Sequence, residues 1–214
     1  WYDGRAAAES IKTLSWKYAV AGDPFIAGES GAEARLEGLS KDVLASFDTL
    51  GSDVTGAPTS PTESMRALRS KALSERRDAY AVGRIEDQRS WYERKAEWNN
   101  QRARLWGAVM LVLQVLAAIG AFLKGFGVID IDLFGLAGAA AASAAAWLET
   151  KQHHVIARAY RVAAQELTAI GDLIAGQNNE EAWARFVAEA EEAISREHTM
   201  WKASSRSREP LSLV

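Results

Sequence analysis

One stretch of the chain constrains the fold more than any other: the nineteen consecutive residues 105–123 carry no charge. At about 1.5 Å per residue, a helix of this length spans about 28 Å, close to the ~30 Å hydrocarbon core of a bilayer. A second apolar stretch, 133–148, follows after nine residues. The sequence therefore predicts a transmembrane helical hairpin with spans at 105–123 and 133–148.

The second stretch is the shorter one, and its sixteen residues would reach only about 24 Å as a helix. It is rich in alanine, which gains little from transfer into lipid. Small residues recur along it at helical spacing, which allows a neighbouring helix to approach closely. One line is Gly135, Ala139 and Ser143, and the next is Gly138, Ala142 and Ala146. The alternative interpretation is a buried hairpin inside a soluble helical bundle.

Basic residues flank the hairpin on both sides: Lys95, Arg102 and Arg104 before it, and Lys151, Arg158 and Arg161 after it. The positive-inside rule then predicts that both polar arms are cytoplasmic. Trp106 and Trp147 would lie at the same membrane interface as anchors of an aromatic belt. Gln114 is strongly polar within the first span, so it should face protein or water, either as a helix-packing residue or as a pore-lining one.

The flanking segments show helical periodicity and no strand pattern, which predicts an all-α protein: a membrane helical hairpin whose long cytoplasmic arms form a bundle. We divide the chain into an amphipathic arm (1–50), a linker rich in Gly, Pro, Ser and Thr (51–64), a two-transmembrane unit with a C-terminal helical pair (65–205) and a tail (206–214). Thr62 or Ser64 is suited to cap a helix whose pattern continues as far as residue 123. Asn178 with Glu181 resembles a capping box that opens the last helix.

Several chemistries lack support in the sequence. Cysteine is absent, which excludes a disulfide framework and thiolate chemistry. The common motifs for nucleotide hydrolysis, hydride transfer and ester or peptide hydrolysis are also absent, so we expect neither an enzyme nor a cofactor, and a net charge of −3 does not indicate nucleic acid. Glu149, His153 and His154 offer an incomplete metal set, and the alternative is a polar turn beside the membrane. Carboxylates such as Glu189, Glu191 and Glu192 are expected on a solvated helix face.

Two further groups of side chains leave alternatives open. A run of basic residues could bind phosphate through guanidinium groups or could simply form a solvated face. It consists of Arg66, Arg69, Lys71, Arg76, Arg77 and Arg84. The aromatic residues Trp91, Tyr92 and Trp98 could form a patch at an interface or could pack on the N-terminal helices.

Three segments together resemble a known family: WYDGRAAAESIKTLSWKYAVAGDPF, DQRSWYERKAEWNNQRARLW and, after the two apolar stretches, ISREHTMW. The chain resembles the SLATT group, the SMODS- and SLOG-associating two-transmembrane effector domains of bacteria. The matching residues are Trp1, Arg5, Glu9, Lys12, Trp16, Tyr18, Pro24 and Phe25 in the first segment, and Gln88, Trp91, Tyr92, Ala96 and Asn99 in the second.

The resemblance implies a bacterial inner-membrane effector that oligomerises and forms pores or permeabilises the membrane in a conflict or antiphage defence system. Its expected partners are the lipid bilayer, further copies of itself and a protein that makes or senses a nucleotide signal. Longer members carry two such units in tandem, and WYDGR follows an earlier hairpin there, so we expect native sequence upstream of Trp1. The rival hypothesis is a non-conducting membrane anchor and helical interaction scaffold, and an enzyme with an unrecognised helical site is a third.

Overall fold

The computed structural model describes residues 2–48 and 60–206, without the side chains of residues 2, 3, 5, 47, 48 and 196–206. Every regular element in these ranges is helical, which confirms the all-α prediction. The elements are α1 (Tyr2–Ala19), α2 (Ala32–Asp48), α3 (Glu63–Arg69), α4 (Leu73–Tyr80), a π-helix (Ala81–Glu86), α5 (Asp87–Gly125), α6 (Leu133–Lys151), α7 (His153–Ile174) and α8 (Glu180–Arg206). Trp1 and most of the predicted linker, together with the tail after residue 206, lie outside the described residues.

The described residues of 1–87 and 167–214 form one compact unit. In it, α1 packs against α2, α3 and α8. Tyr18, Phe25, Ala32 and Leu36 form a buried apolar cluster, because the predicted stripes of α1 and α2 face each other. Along α8, the apolar positions Trp183, Val187, Ala190 and Ile194 are also buried. The predicted bundle of amphipathic arm helices is therefore present.

The π-helix allows an unusually close contact with α1. A Cβ atom placed on Gly83 would lie only 2.8 Å from Cη2 of Trp16, so glycine is the residue that fits there. The Trp16 ring also meets Tyr80 edge to face, with centroids 5.9 Å apart. A π-helical turn is rare and often marks a functional site, and this one turns Arg84 and Ile85 into the protein.

The second compact unit, residues 88–166, contains the hairpin and the adjoining parts of its arms. On α5 a buried stripe of Gln88, Tyr92, Ala96, Asn99 and Ala103 follows the three- and four-residue spacing of one helix face. On the returning chain, α6 ends at Lys151 and α7 begins at His153, because Gln152 adopts a left-handed conformation with φ of 49°.

Three details of helix placement differ from the sequence prediction. The helix capped by Thr62 ends at Arg69, and α4 starts a new helix at Leu73, so the pattern from 63 to 123 is not one continuous helix. Because α3 starts at Glu63, the last two residues of the predicted linker are helical. The cap of α8 is Asn179 rather than Asn178: its side-chain oxygen accepts the Ala182 amide at 2.8 Å.

Candidate functional site

The two apolar stretches form an antiparallel hairpin, as predicted. The rings of Trp106 and Trp147 lie at the same end, with centroids 6.4 Å apart. Near the other end, a Cβ atom on Gly120 would lie 2.5 Å from the Leu133 Cβ, so glycine permits the close crossing of α5 and α6. Ala117 and Ala144 are buried within the hairpin. Small side chains thus bring the two helices together.

The rest of the hairpin surface is apolar and open. Leu111, Val112, Leu116, Ile119 and Phe122 of α5 are each at least half exposed. Two helical stretches, Leu73–Gly125 and Leu133–Ile174, are long and apolar enough to cross a membrane, and their most apolar windows are only 11 % and 0 % buried. A helix at the centre of a soluble bundle would instead be mostly buried, so the exposure favours the membrane hairpin over the soluble alternative.

The predicted pore or packing residues lie outside the contact between α5 and α6. Gln114, Gly135, Gly138, Ala139 and Ser143 are all exposed. At 100° per residue, Ala139 and Ser143 lie about 160° around α6 from Ala141, which is on the side that faces α5. The Asp132 carboxylate accepts the Gly135 amide at 3.2 Å and caps α6. These residues therefore do not hold the hairpin itself together.

A buried polar pair lies beside the tryptophan end of the hairpin. His153 is 8 % exposed, and its Nδ1–H donates to Oδ1 of Asn99 at 2.8 Å, while the Asn99 amide donates to the Lys95 carbonyl. Burial lowers the pKa of His153, and the positive charges of Arg102, Lys151 and His154 lower it further. His153 is thus a buried packing residue and not part of a solvated polar turn. Among the described residues no cluster of His, Asp and Glu is suited to hold a metal ion.

The aromatic residues of α5 pack against aromatic side chains of α7. Trp91 meets Tyr160 edge to face at 5.6 Å between centroids, and Tyr92 lies 5.7 Å from the same ring. The Trp98 ring lies 5.8 Å from His153 and carries Arg102 over its face. Aromatic contacts of this kind stabilise the pair of helices by about 0.5–1.5 kcal/mol each.

Most of the basic run is paired with other groups of the protein, and the predicted solvated face is wrong for Arg76 and Arg84, which are buried. Arg69 donates to the carbonyls of Tyr18, Phe25 and Ile26 at 2.7–3.0 Å. Arg76 is buried, donates to the Val20 carbonyl and pairs with Glu180. Arg66 makes a two-pronged pair with Glu33, and Arg77 donates to the Gln177 carbonyl. Lys71 stays on the surface, paired with Glu75. These arginines join α3 and α4 to the rest of the first compact unit.

The last arginine of the run, Arg84, lies at the centre of a buried ion pair. Its Nε and Nη2 donate to the two carboxylate oxygens of Glu191 at 2.8 and 2.6 Å, and both side chains are 0 % exposed. Tyr80 and Thr13 donate to the same carboxylate at 3.0 and 2.8 Å. Nη1 of Arg84 donates to Glu9 at 3.1 Å. We call these five residues the Arg84 network.

The Arg84 network corrects the prediction that Glu191 lies on a solvated face. Burial acts to lower the pKa of Arg84, but the hydrogen bonds and charges of Glu191 and Glu9 outweigh it and raise that pKa. The Tyr80 pKa is raised by burial and by the adjacent Glu191. The network therefore holds a charged arginine inside the protein, in a two-pronged ion pair with Glu191. The sequence contained a sign of it, because Glu191 falls between Val187 and Ile194 on the apolar stripe of α8.

Most of the residues that carried the family resemblance occupy buried or packing positions. Glu9 belongs to the Arg84 network, Trp16 packs on the π-helix, and Tyr18 with Phe25 lies in the core. The Pro24 carbonyl accepts a hydrogen bond from the Arg35 side chain at 2.6 Å. Lys12 borders an apolar groove on α1. Gln88 and Asn99 belong to the buried stripe of α5. Trp1 and the Arg5 side chain lie outside the described residues.

Comparison with known proteins adds two matches. Residues 80–201 match the family model described as SMODS and SLOG-associating 2TM effector domain 1, and residues 1–77 match the model for SMODS and SLOG-associating 2TM effector domain 3. No curated protein and no solved structure matches the chain. The first model covers more than half of the chain and includes both apolar helices of the hairpin. The chain therefore belongs to the SLATT family, whose members are two-transmembrane effector domains.

Proposed function

We propose that this protein is a bacterial inner-membrane effector that assembles through its hairpin and permeabilises the membrane, and that it is not an enzyme. The observation that carries the proposal is the small-residue face of α6, formed by Gly135, Ala139 and Ser143. It points away from α5 in the isolated chain and is exposed. In a bilayer such a face favours contact with another helix over contact with lipid.

A pore would need several subunits. One hairpin supplies two helices, and two helices do not enclose an aqueous path. Gln114 is exposed on the flank of α5, where a second hairpin brings it against protein or water instead of lipid. In this proposal Gln114 lines the path or joins neighbouring hairpins by a hydrogen bond.

The arms take the role of assembly and sensing module in the cytoplasm. The positive residues on both sides of the hairpin support this orientation. Lys151 lies over the Trp147 ring at 4.5 Å, at the end of the hairpin where both arms leave it. The proposed activating partner is a protein that makes or senses a nucleotide signal, and neither a nucleic acid nor a cofactor is required.

Leakage from liposomes tests this function. Purified protein should release an entrapped dye or ions from liposomes, more strongly in the presence of the nucleotide that activates it. Ala139→Leu should lower both self-association and leakage, because the larger side chain prevents close approach of a second helix. Ala140→Leu is the matched control, since it makes the same change about 100° around the same helix. We prefer Ala139 to Gly135, whose Cβ would also collide with the capping Asp132 side chain.

The results separate the two hypotheses. Loss of assembly and leakage in Ala139→Leu alone supports the effector proposal. Assembly that survives the substitution would place the contact in the arms. A wild-type protein that binds liposomes and releases nothing under any nucleotide would favour the non-conducting anchor and scaffold.

A further inference from the structure

The connector between α5 and α6 has an unusual composition for a loop that faces water. Phe126, Val128 and Ile131 are 71 %, 66 % and 63 % exposed. Loops in contact with water are normally polar. The Phe126 ring also contacts Phe122 on α5, with centroids 4.5 Å apart, so the apolar surface of the span continues around the connector.

Part of the connector's backbone hydrogen bonding is satisfied within the hairpin, chiefly by the C-terminal cap of α5. The amides of Phe126, Gly127 and Val128 donate to the carbonyls of Phe122, Lys124 and Leu123 at 3.0–3.1 Å. The amide of Leu133 donates to the Ile131 carbonyl at 3.0 Å. Backbone groups that enter lipid must be paired internally, because lipid offers no partners. These four amides meet that requirement.

Two of the three charges at the connector, Lys124 and Asp132, are paired with each other. Lys124 Nζ lies 3.6 Å from Asp132 Oδ1, and the same carboxylate group caps α6. An exposed pair like this one contributes little in water, but it strengthens as the surrounding dielectric constant falls. Asp130 has no ion-pair partner among the described residues, so the connector presents one uncompensated charge.

We propose that the connector is a lipid-penetrating tip, by which the folded hairpin enters a preformed bilayer from the side of its arms. The inference rests on the membrane location in the proposed function, but it concerns the route of entry and not permeability. The partner is the lipid surface itself. The tip lies about 28 Å along α5 from Trp106, so it crosses the hydrocarbon core when the tryptophan end reaches the near interface.

A single cysteine at the tip tests the proposal, because the natural chain contains none. Full-length protein with Val128→Cys in detergent is diluted into preformed liposomes of phosphatidylethanolamine and phosphatidylglycerol and then treated with a membrane-impermeant maleimide. Lys41→Cys, at an exposed position on α2, is the control. We expect the Lys41→Cys protein to react and the Val128→Cys protein to be protected until detergent dissolves the liposomes. Equal reaction of both in liposomes that retain an entrapped dye would overturn the proposal.

A second pair of variants tests the proposal without the maleimide label. Val128→Ser and Val82→Ser make the same substitution at side chains that are 66 % and 69 % exposed. Insertion into liposomes, measured by co-flotation after an alkaline wash, should fall about threefold or more for Val128→Ser and stay unchanged for Val82→Ser, because polar side chains are costly to carry through lipid. Lys124→Gln should act like Val128→Ser, since it leaves Asp132 unpaired, whereas Asp130→Asn should raise the yield.

Equal insertion yields for Val128→Ser and Val82→Ser would contradict the proposal. Failure of the proposed function gives a different result: protected Val128→Cys in liposomes that do not leak means that the tip penetrates and the effector proposal is wrong. Leakage together with equal insertion yields for Val128→Ser and Val82→Ser means the reverse, and the yields decide here because a leaking liposome also admits the maleimide.

Discussion

Arg84 and Glu191 form a fully buried, two-pronged ion pair whose partners are 107 residues apart in the chain. Taking two charges out of water is costly, and their attraction repays the cost only when further hydrogen bonds satisfy the remaining donors and acceptors. Tyr80, Thr13 and Glu9 provide those bonds. The main effect of the pair is therefore to specify which helices pack together, and its net contribution to the free energy of unfolding is smaller.

We expect Arg84→Met to destabilise the protein by about 3–5 kcal/mol, because it leaves the charge of Glu191 buried without a partner. The double variant Arg84→Met with Glu191→Leu should recover most of that loss, since it removes both charges. Chemical denaturation of the detergent-solubilised chain measures both changes. Glu192→Leu changes the exposed neighbour on the same helix and should have little effect. A double variant as unstable as Arg84→Met would mean that the hydrogen bonds, and not the unpaired charge, set the cost.

Gly83→Ala should destabilise the first compact unit by about 1–3 kcal/mol, because the new methyl group would overlap Trp16. Gly38→Ala is the matched control: its Cβ would meet nothing within 4 Å on α2, and alanine should stabilise the helix by up to about 1 kcal/mol. Thermal unfolding followed by circular dichroism distinguishes the two. Equal changes in melting temperature for both variants would show that the contact between Trp16 and the π-helix has room for a methyl group.

Gly120→Ala should weaken the packing of α5 on α6, since its Cβ would lie 2.5 Å from that of Leu133. Gly107→Ala, on the same helix, would meet nothing within 4 Å and serves as its control. Cross-linking between cysteines placed at Trp106 and Trp147 reports whether the hairpin stays closed. A Gly120→Ala hairpin that cross-links as efficiently as the Gly107→Ala hairpin would show that α6 adjusts without loss of contact.

Acidification should loosen the helix pair around His153. The folded state lowers the pKa of His153 through burial and through Arg102, Lys151 and His154, so the unfolded state binds more protons. The contribution of neutral His153 to stability is therefore present above about pH 6.5, the ordinary histidine value, and is lost as the pH falls below it.

On going from pH 7.5 to 5.5, hydrogen exchange at residues 95–103 and 153–160 should slow down less than the fall in the base-catalysed intrinsic rate predicts, which leaves an excess of exchange at the lower pH. His153→Gln should remove this excess, whereas His154→Gln, at the exposed neighbouring position, should retain it. An unchanged excess in His153→Gln would assign the effect to another group.

Periodicity in the sequence predicted the features that depend on one helix at a time. The hairpin, the pairing of Trp106 with Trp147 and the apolar stripes of α1, α2 and α8 all follow from apolar residues at regular spacing. The capping role of Thr62 was also readable, because its side chain and backbone suit a helix start. The role of Gln114 and of the small-residue face remains a prediction.

The features that the sequence did not reveal depend on pairs of distant residues. A charged side chain on a helix normally faces water, so Arg76, Arg84 and Glu191 were interpreted as surface residues. Only the folded chain shows that each charge has a partner from another helix. Similarly, neither glycine nor proline marks the break at Gln152, which is visible only as a backbone angle.

The Arg84 network also sets an order of events during synthesis. A ribosome adds about 5–20 residues per second, so roughly 5–20 s separate the emergence of Arg84 from that of Glu191 107 residues later. Both apolar helices, which lie between them in the chain, are made during this interval. The hairpin is therefore available to the membrane while the glutamate that completes the bundle does not yet exist, and closure of the arms is the later step.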